Sequence, residues 1–190
     1  MTAQPIEHDA ESALFTDALT CELALPAEFR AGHGVSRVGA AESVLRAIAQ
    51  VDEVRGDEPG EDRGELPQAV VRIEAKLDLV LALIGQMARQ SGQTLPLCPV
   101  RWSRRGIRLE TDVRSGMMPG TSGTLALQPA DWLTETIELP VTVLAEAADE
   151  SGGFCLWLRF DSLGSTLESA LERYLFRLHR RQVADARRGS

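Results

Sequence analysis

LCPVRWSRRGIRLET, residues 97–111, reads as a strand, a tight turn and a returning strand. Ile107 and Leu109 share one side while Arg108 and Glu110 share the other, the period-two pattern of a half-buried strand. Ser103 and Gly106 are turn formers and mark the reversal. Around them stand Arg101, Arg104, Arg105 and Arg108, in a chain whose formal charge is -8. Guanidinium groups bind phosphate bidentately and stack on purine faces, so an anion or nucleotide site at this turn is the sharpest functional reading. The alternation limits it: Arg108 points away from Ile107 and Leu109, so the four groups do not all converge on one point.

The same period continues downstream. Gly123 to Pro129, Thr136 to Ala145 and Gly153 to Phe160 read as strands, with Ile137, Leu139, Val141 and Val143 on one side and Phe154, Leu156, Leu158 and Phe160 on one side. Turns are signalled at Ser115 to Gly120 and at Asp149 to Gly153. Successive strands with short connections and no helix between them give an antiparallel barrel or sandwich. A helix from Leu163 to about Ala184 follows, with Leu167, Leu171, Tyr174, Leu175 and Leu178 on or near one face. Arg177, Arg180, Arg181, Arg187 and Arg188 crowd its C-terminal end, where positive charge suits the helix dipole.

Upstream, the pattern is helical. From Leu66 to Arg89 the apolar residues keep a heptad, with Val70, Leu77 and Ile84 at a and Ile73, Val80 and Met87 at d. Leu77 at a beside β-branched residues at d favours more than two strands, and Ala69, Leu79, Leu81 and Leu83 widen the apolar flank. These six seam residues are the expected oligomerisation surface. Ala40 to Arg55 is a second amphipathic helix, striped by Val44, Leu45, Ile48, Val51 and Val54. GDEPGEDRGE, residues 56–65, connects the two, which return as an antiparallel hairpin. Met1 to Asp17 is polar, with a short helical turn within Ala10 to Leu19; Thr20 to Leu25 suits a short edge strand or extended arm before Pro26. Arg30 to Gly39 reads as a loop. The expected division is an N-terminal arm over 1–39, a hairpin and coiled-coil region over 40–92, and a barrel with its C-terminal helix over 93–190.

At 44% hydrophobic residues the chain fills a real core, and its nine prolines and sixteen glycines fall mostly between periodic segments. An acidic chain without a long apolar run or a signal-peptide order is expected to be cytoplasmic, neither inserting in membrane nor binding nucleic acid. Cys21, Cys98 and Cys155 are dispersed and odd in number, and His8, His33 and His179 stand alone, which suits free thiols and gives no metal site. No Gly-rich phosphate loop, nucleophile elbow or acid–base set is present, so no catalytic residues and no enzymatic activity are expected.

Taken together, barrel, turn and closing helix over roughly residues 95 to 182 resemble the PilZ-domain proteins. The resemblance implies an α+β fold: a six-stranded antiparallel barrel closed by a C-terminal helix. Standard members carry Asp/Asn-x-Ser-x-x-Gly at this turn and Arg-x-x-x-Arg upstream, which together grip cyclic di-GMP. Here Ser103 and Gly106 match, Arg101 stands at the acidic or amide position, and GQTLPLCPV, residues 92–100, holds no arginine. Each lost charge-assisted contact removes about 1.5–3 kcal/mol, enough together to make a micromolar ligand undetectable.

AESVLRAIAQVDEVRGDE, AVVRIEAKLDLVLALIGQMARQ and LERYLFRLHRRQ are similar to a narrower bacterial subgroup with a helical hairpin before the barrel. That resemblance implies a homotetramer through a parallel bundle, a degenerate nucleotide motif, and roles in motility, type IV pilus or cyclic di-GMP signalling with unidentified protein partners. The expected function is thus a non-enzymatic adaptor without a cofactor. The alternative is a cyclic di-GMP receptor rewired through Arg101, Ser103, Arg104, Arg105 and Gly106.

Overall fold

The computed structural model describes residues 9–32, 38–56, 77, 80, 95–130, 133 and 135–188. Six strands, β1 (Cys21–Ala31), β2 (Leu97–Trp102), β3 (Gly106–Thr111), β4 (Ser122–Leu127), β5 (Ile137–Ala148) and β6 (Phe154–Phe160), close an antiparallel barrel in the order β1-β2-β3-β6-β5-β4. The helices are α1 (Asp9–Phe15), α2 (Val38–Gly56) and α3 (Ser165–Arg188).

The expected strands β2 to β6 form, and their alternation is the reason. Ile107, Leu109, Ile137, Leu139, Val141, Val143, Leu156 and Leu158 all point into one core. Helix α3 closes the barrel by laying Leu167, Leu171, Tyr174 and Leu175 into it, with the Tyr174 ring 5.4 Å from that of Trp102. Helix α2 adds Ala41, Leu45 and Ile48 to the same core, packed between α3 and β5. Cys21, Cys98 and Cys155 are free and buried; burial pushes the Cys21 thiol up to about 11 against a weaker opposing backbone contact at His179.

The N-terminal segment departs from its reading. Of the short edge strand or extended arm expected over 20–25, the strand forms, but it is not an edge and does not stop at Pro26: it runs eleven residues, to Ala31 within the expected loop, and closes the barrel. Its first half pairs with β2, from Cys21 opposite Trp102 to Pro26 opposite Leu97. Its second half pairs with β4, from Ala27 opposite Leu127 to Ala31 opposite Gly123. Pro26 sits at the changeover between partners, where its missing N–H interrupts neither ladder and its carbonyl still accepts from the Gln128 amide at 2.9 Å. The barrel therefore draws on residues on both sides of the 40–92 region.

Of the heptad seam, Leu77 and Val80 are described; both are helical and exposed, at 57% and 49%. Val70, Ile73, Ile84 and Met87, the connector beyond Gly56 and the return of the hairpin lie outside the described residues. Among the described residues, no helix is long and apolar enough to cross a membrane, and no group of three or more His, Cys, Asp or Glu is placed to hold a metal ion.

Candidate binding site at the β2–β3 turn

The turn is built tightly for local reasons. The Ser103 amide donates to the Gly106 carbonyl at 2.9 Å, closing the reversal. The Ser103 side chain is fully buried: its hydroxyl donates to the Leu14 carbonyl at 2.8 Å and accepts from the Arg105 amide at 3.1 Å. At Gly106, a Cβ would stand 2.2 Å from the Leu158 carbonyl oxygen and 2.8 Å from Leu14 Cδ2, so nothing but glycine lets β6 and α1 approach so closely. Both motif residues thus hold the hairpin and seat α1 on it.

The arginines split into two pairs, as strand alternation requires. Arg101 and Arg108 are direct cross-strand partners, and Arg108 lies opposite Trp157 on β6. These three share the outer face of the barrel. Like charges directly opposite on neighbouring strands repel, and Glu11 of α1 answers them. One oxygen, Oε1, accepts from Arg101 Nη1 at 2.6 Å and Arg108 Nη1 at 3.1 Å; the other, Oε2, accepts from Trp157 Nε1 at 2.5 Å. Arg108 also donates to Glu110 at 2.7 Å, and Arg101 lies 4.9 Å from the centre of the Phe15 ring, a cation–π distance. Burial pulls the Arg108 pKa down, but Glu11 and Glu110 outweigh it and leave the net shift upward.

Arg104 and Arg105 face elsewhere. Arg104 Nη1 meets Glu172 of α3 at 3.0 Å. Arg105 Nη1 donates to the Thr16 carbonyl at 2.9 Å and the Ala13 carbonyl at 3.4 Å, where the end of a short helix leaves carbonyls without partners. Beside them opens a cavity of about 350 Å³, lined in part by Arg104, Arg105, Arg159, Glu168 and Glu172.

The predicted set Arg101, Ser103, Arg104, Arg105 and Gly106 is therefore contiguous in space but directed at three places, and each member is engaged by the protein's own groups. Sequence reasoning missed Glu11, Leu14, Phe15 and Trp157. Their one trace is in β6, where Cys155 and Trp157 put apolar bulk on the face opposite Leu156 and Leu158; α1 covers that face, burying Ala10, Leu14, Phe15, Ala145, Cys155 and Trp157 in a second cluster.

Residues 45–188 match the family model of the atypical PilZ domain, cyclic di-GMP receptor. The chain belongs to the atypical PilZ-domain family. It is similar to a solved pathogenic protein from Xanthomonas campestris, described as a new tetrameric PilZ domain self-assembled via an unusual helical bundle. The two are 50% identical, with a TM-score of 0.75, over 93% of this chain and 96% of the other. The PilZ domain of Escherichia coli YcgR with c-di-GMP is 17% identical over 47% of this chain and 76% of that one (TM-score 0.38). The Bacillus subtilis inhibitor of motility MotI/DgrA is 22% identical over 47% of this chain and 43% of that one (TM-score 0.37). No curated protein matches the chain.

Ser103 is buried under Leu14, Glu11 already fills the position between Arg101 and Arg108, and the upstream arginine pair is absent from residues 92–100.

Proposed function

We propose that this PilZ protein is a non-enzymatic signalling adaptor that self-assembles through the helix bearing Val70, Ile73, Leu77, Val80, Ile84 and Met87. Its barrel presents protein-binding surfaces and does not take cyclic di-GMP in the standard way. The observation that carries the reading is the internal commitment of the turn: Ser103 and the four arginines all contact groups of the chain itself. The exposure of Leu77 and Val80 supports an assembly surface, as does the tetramer described for the 50%-identical Xanthomonas protein. We place the homotetramer in the cytoplasm, in motility, type IV pilus or cyclic di-GMP signalling. Tying several weak sites together raises effective concentration without any new contact, which is what an adaptor gains from such a bundle.

The seam gives the test. Leu77→Glu or Ile84→Glu places a charge in every copy of an apolar layer, and light scattering then reads a monomer while circular dichroism keeps the barrel's signal. An unchanged mass in both variants sinks the assembly claim.

A second reading has its own support in the cavity lined by Arg104, Arg105 and Arg159 and in the family's description as a cyclic di-GMP receptor. In it, the arginine-rich turn is a rewired nucleotide site. Arg104→Ala with Arg105→Ala abolishes nucleotide binding under this reading and changes nothing under the first.

A further inference from the structure

The geometry points to a peptide-docking site on the outer face of β2, β3 and β6, of which α1 is the exchangeable resident. The partner it fits is a helical segment carrying Glu, Leu and Phe at positions i, i+3 and i+4. This deepens the adaptor reading by naming the partner's chemistry, and it rests on that reading.

Three observations carry it. The first is recognition: Glu11, Leu14 and Phe15 lie on one side of α1 by helical spacing, and together they supply the contacts of a bound peptide. Glu11 takes three donors from the face. Leu14 and Phe15 are 1% and 7% exposed against the barrel, and the Leu14 carbonyl accepts from the buried Ser103 hydroxyl. The second is charge: with α1 away, Arg101 and Arg108 face each other across adjacent strands, each left with one flanking carboxylate, the largely exposed Glu22 at 3.5 Å from Arg101 Nε and Glu110 at 2.7 Å from Arg108 Nη2, while the buried Nε of each makes no hydrogen bond. Such a face calls for an acidic ligand. The third is separability. The α1 cluster is distinct from the barrel core, and a helix of seven residues has no stability of its own. Releasing α1 opens the face without opening the barrel.

The resident has the advantage of being tethered, since a short linker gives an effective concentration in the millimolar range. A partner segment therefore competes with α1, and the face is engaged only when its ligand is strong or α1 is weakened.

Cys155 reports the state of the face. It is buried beneath α1, and its thiol is held up chiefly by that burial, so it reacts slowly while α1 is seated. The experiment uses full-length protein, Glu11→Ala, and a fluorescein-labelled peptide DAESALFTDAL copied from residues 9–19. Maleimide labelling of Cys155, located by mass spectrometry, is expected to rise at least tenfold in Glu11→Ala. The peptide is expected to bind that variant saturably, at least tenfold tighter than the unaltered protein, and to lose binding when its own Glu is changed to Gln or when Arg108→Ala is added. Glu11→Gln keeps the side-chain shape and gives the same ordering with smaller amplitude, should Glu11→Ala fold poorly.

The proposal is overturned if Cys155 stays protected in both variants, or if it becomes reactive and the peptide still does not bind. Protection by millimolar inorganic phosphate instead of peptide would make the face a simple anion site and also overturn it. A fall in oligomer mass on adding peptide would assign the face to α1 of a second copy and overturn the proposal of a separate partner. The Cys155 and peptide-binding outcomes leave the seam test of self-assembly untouched, so the two claims fail separately.

Discussion

Gly106 and Glu146 show how single residues fix the connections before and after β3. A methyl group at Gly106 collides with backbone of β6 and with Leu14, and backbone cannot step aside as a flexible side chain does. Gly106→Ala is therefore expected to destabilise the protein by about 1–3 kcal/mol, the range for overpacking, read from the urea midpoint. A change under about 0.5 kcal/mol, typical of an unconstrained surface position, contradicts the close approach. Glu146 holds the loop that precedes β4: its side chain is 4% exposed and accepts from the Ser115 amide at 2.5 Å and the Gly116 amide at 2.9 Å. Burial pushes its pKa up, but those bonds and Arg114 prevail and hold it below its ordinary 4.5. A folded-state pKa below the unfolded one gives stability that is present above the unfolded pKa and lost as pH falls through the folded one. Glu146→Gln should thus be less stable than the parent at neutral pH, with the gap closing below pH 4.5. A gap that stays constant through acid would show that the carboxylate charge plays no part. The serine and glycine of the turn were legible as turn residues from type and spacing alone. Glu11 was not: its partners lie 90, 97 and 146 residues away, and no local pattern carries such a pairing.

Elements were readable wherever burial is one-sided. Strands β3 and β5 alternate because one face meets the core, and α3 shows a clean apolar stripe for the same reason. One element was read only in part, and what covers another was not read at all, each for a definite cause. Pro26 made β1 look like an edge or an arm, although the strand changes partner at that residue and loses no ladder bond. Strand β6 is buried on both faces, since α1 covers Cys155 and Trp157 outside while Leu156 and Leu158 face the core, and its sequence could not report what covers the outer side. The division of the chain at residue 39 follows from the first cause, and it can be tested directly. A chain beginning at residue 40 lacks a strand of a closed barrel and exposes the edges of β2 and β4. It is expected to show no cooperative thermal transition. A truncated protein melting sharply near the full-length temperature would restore the arm.

At the scale of the whole molecule, an acidic PilZ chain gathers four arginines around one turn and engages them with its own groups. Glu11, Glu110, Glu172 and the carbonyls at the end of α1 take every guanidinium of the predicted site. Among the exposed residues are large apolar side chains, Leu77, Val80, Val113, Met118 and Phe176, the material of protein contacts. Calorimetric titration of the full-length protein with cyclic di-GMP tests this most directly. The account predicts no saturable heat up to high micromolar ligand, because the groups that would hold it are already engaged. Clear saturable binding that disappears with Arg104→Ala and Arg105→Ala would contradict it and make the turn a nucleotide receptor.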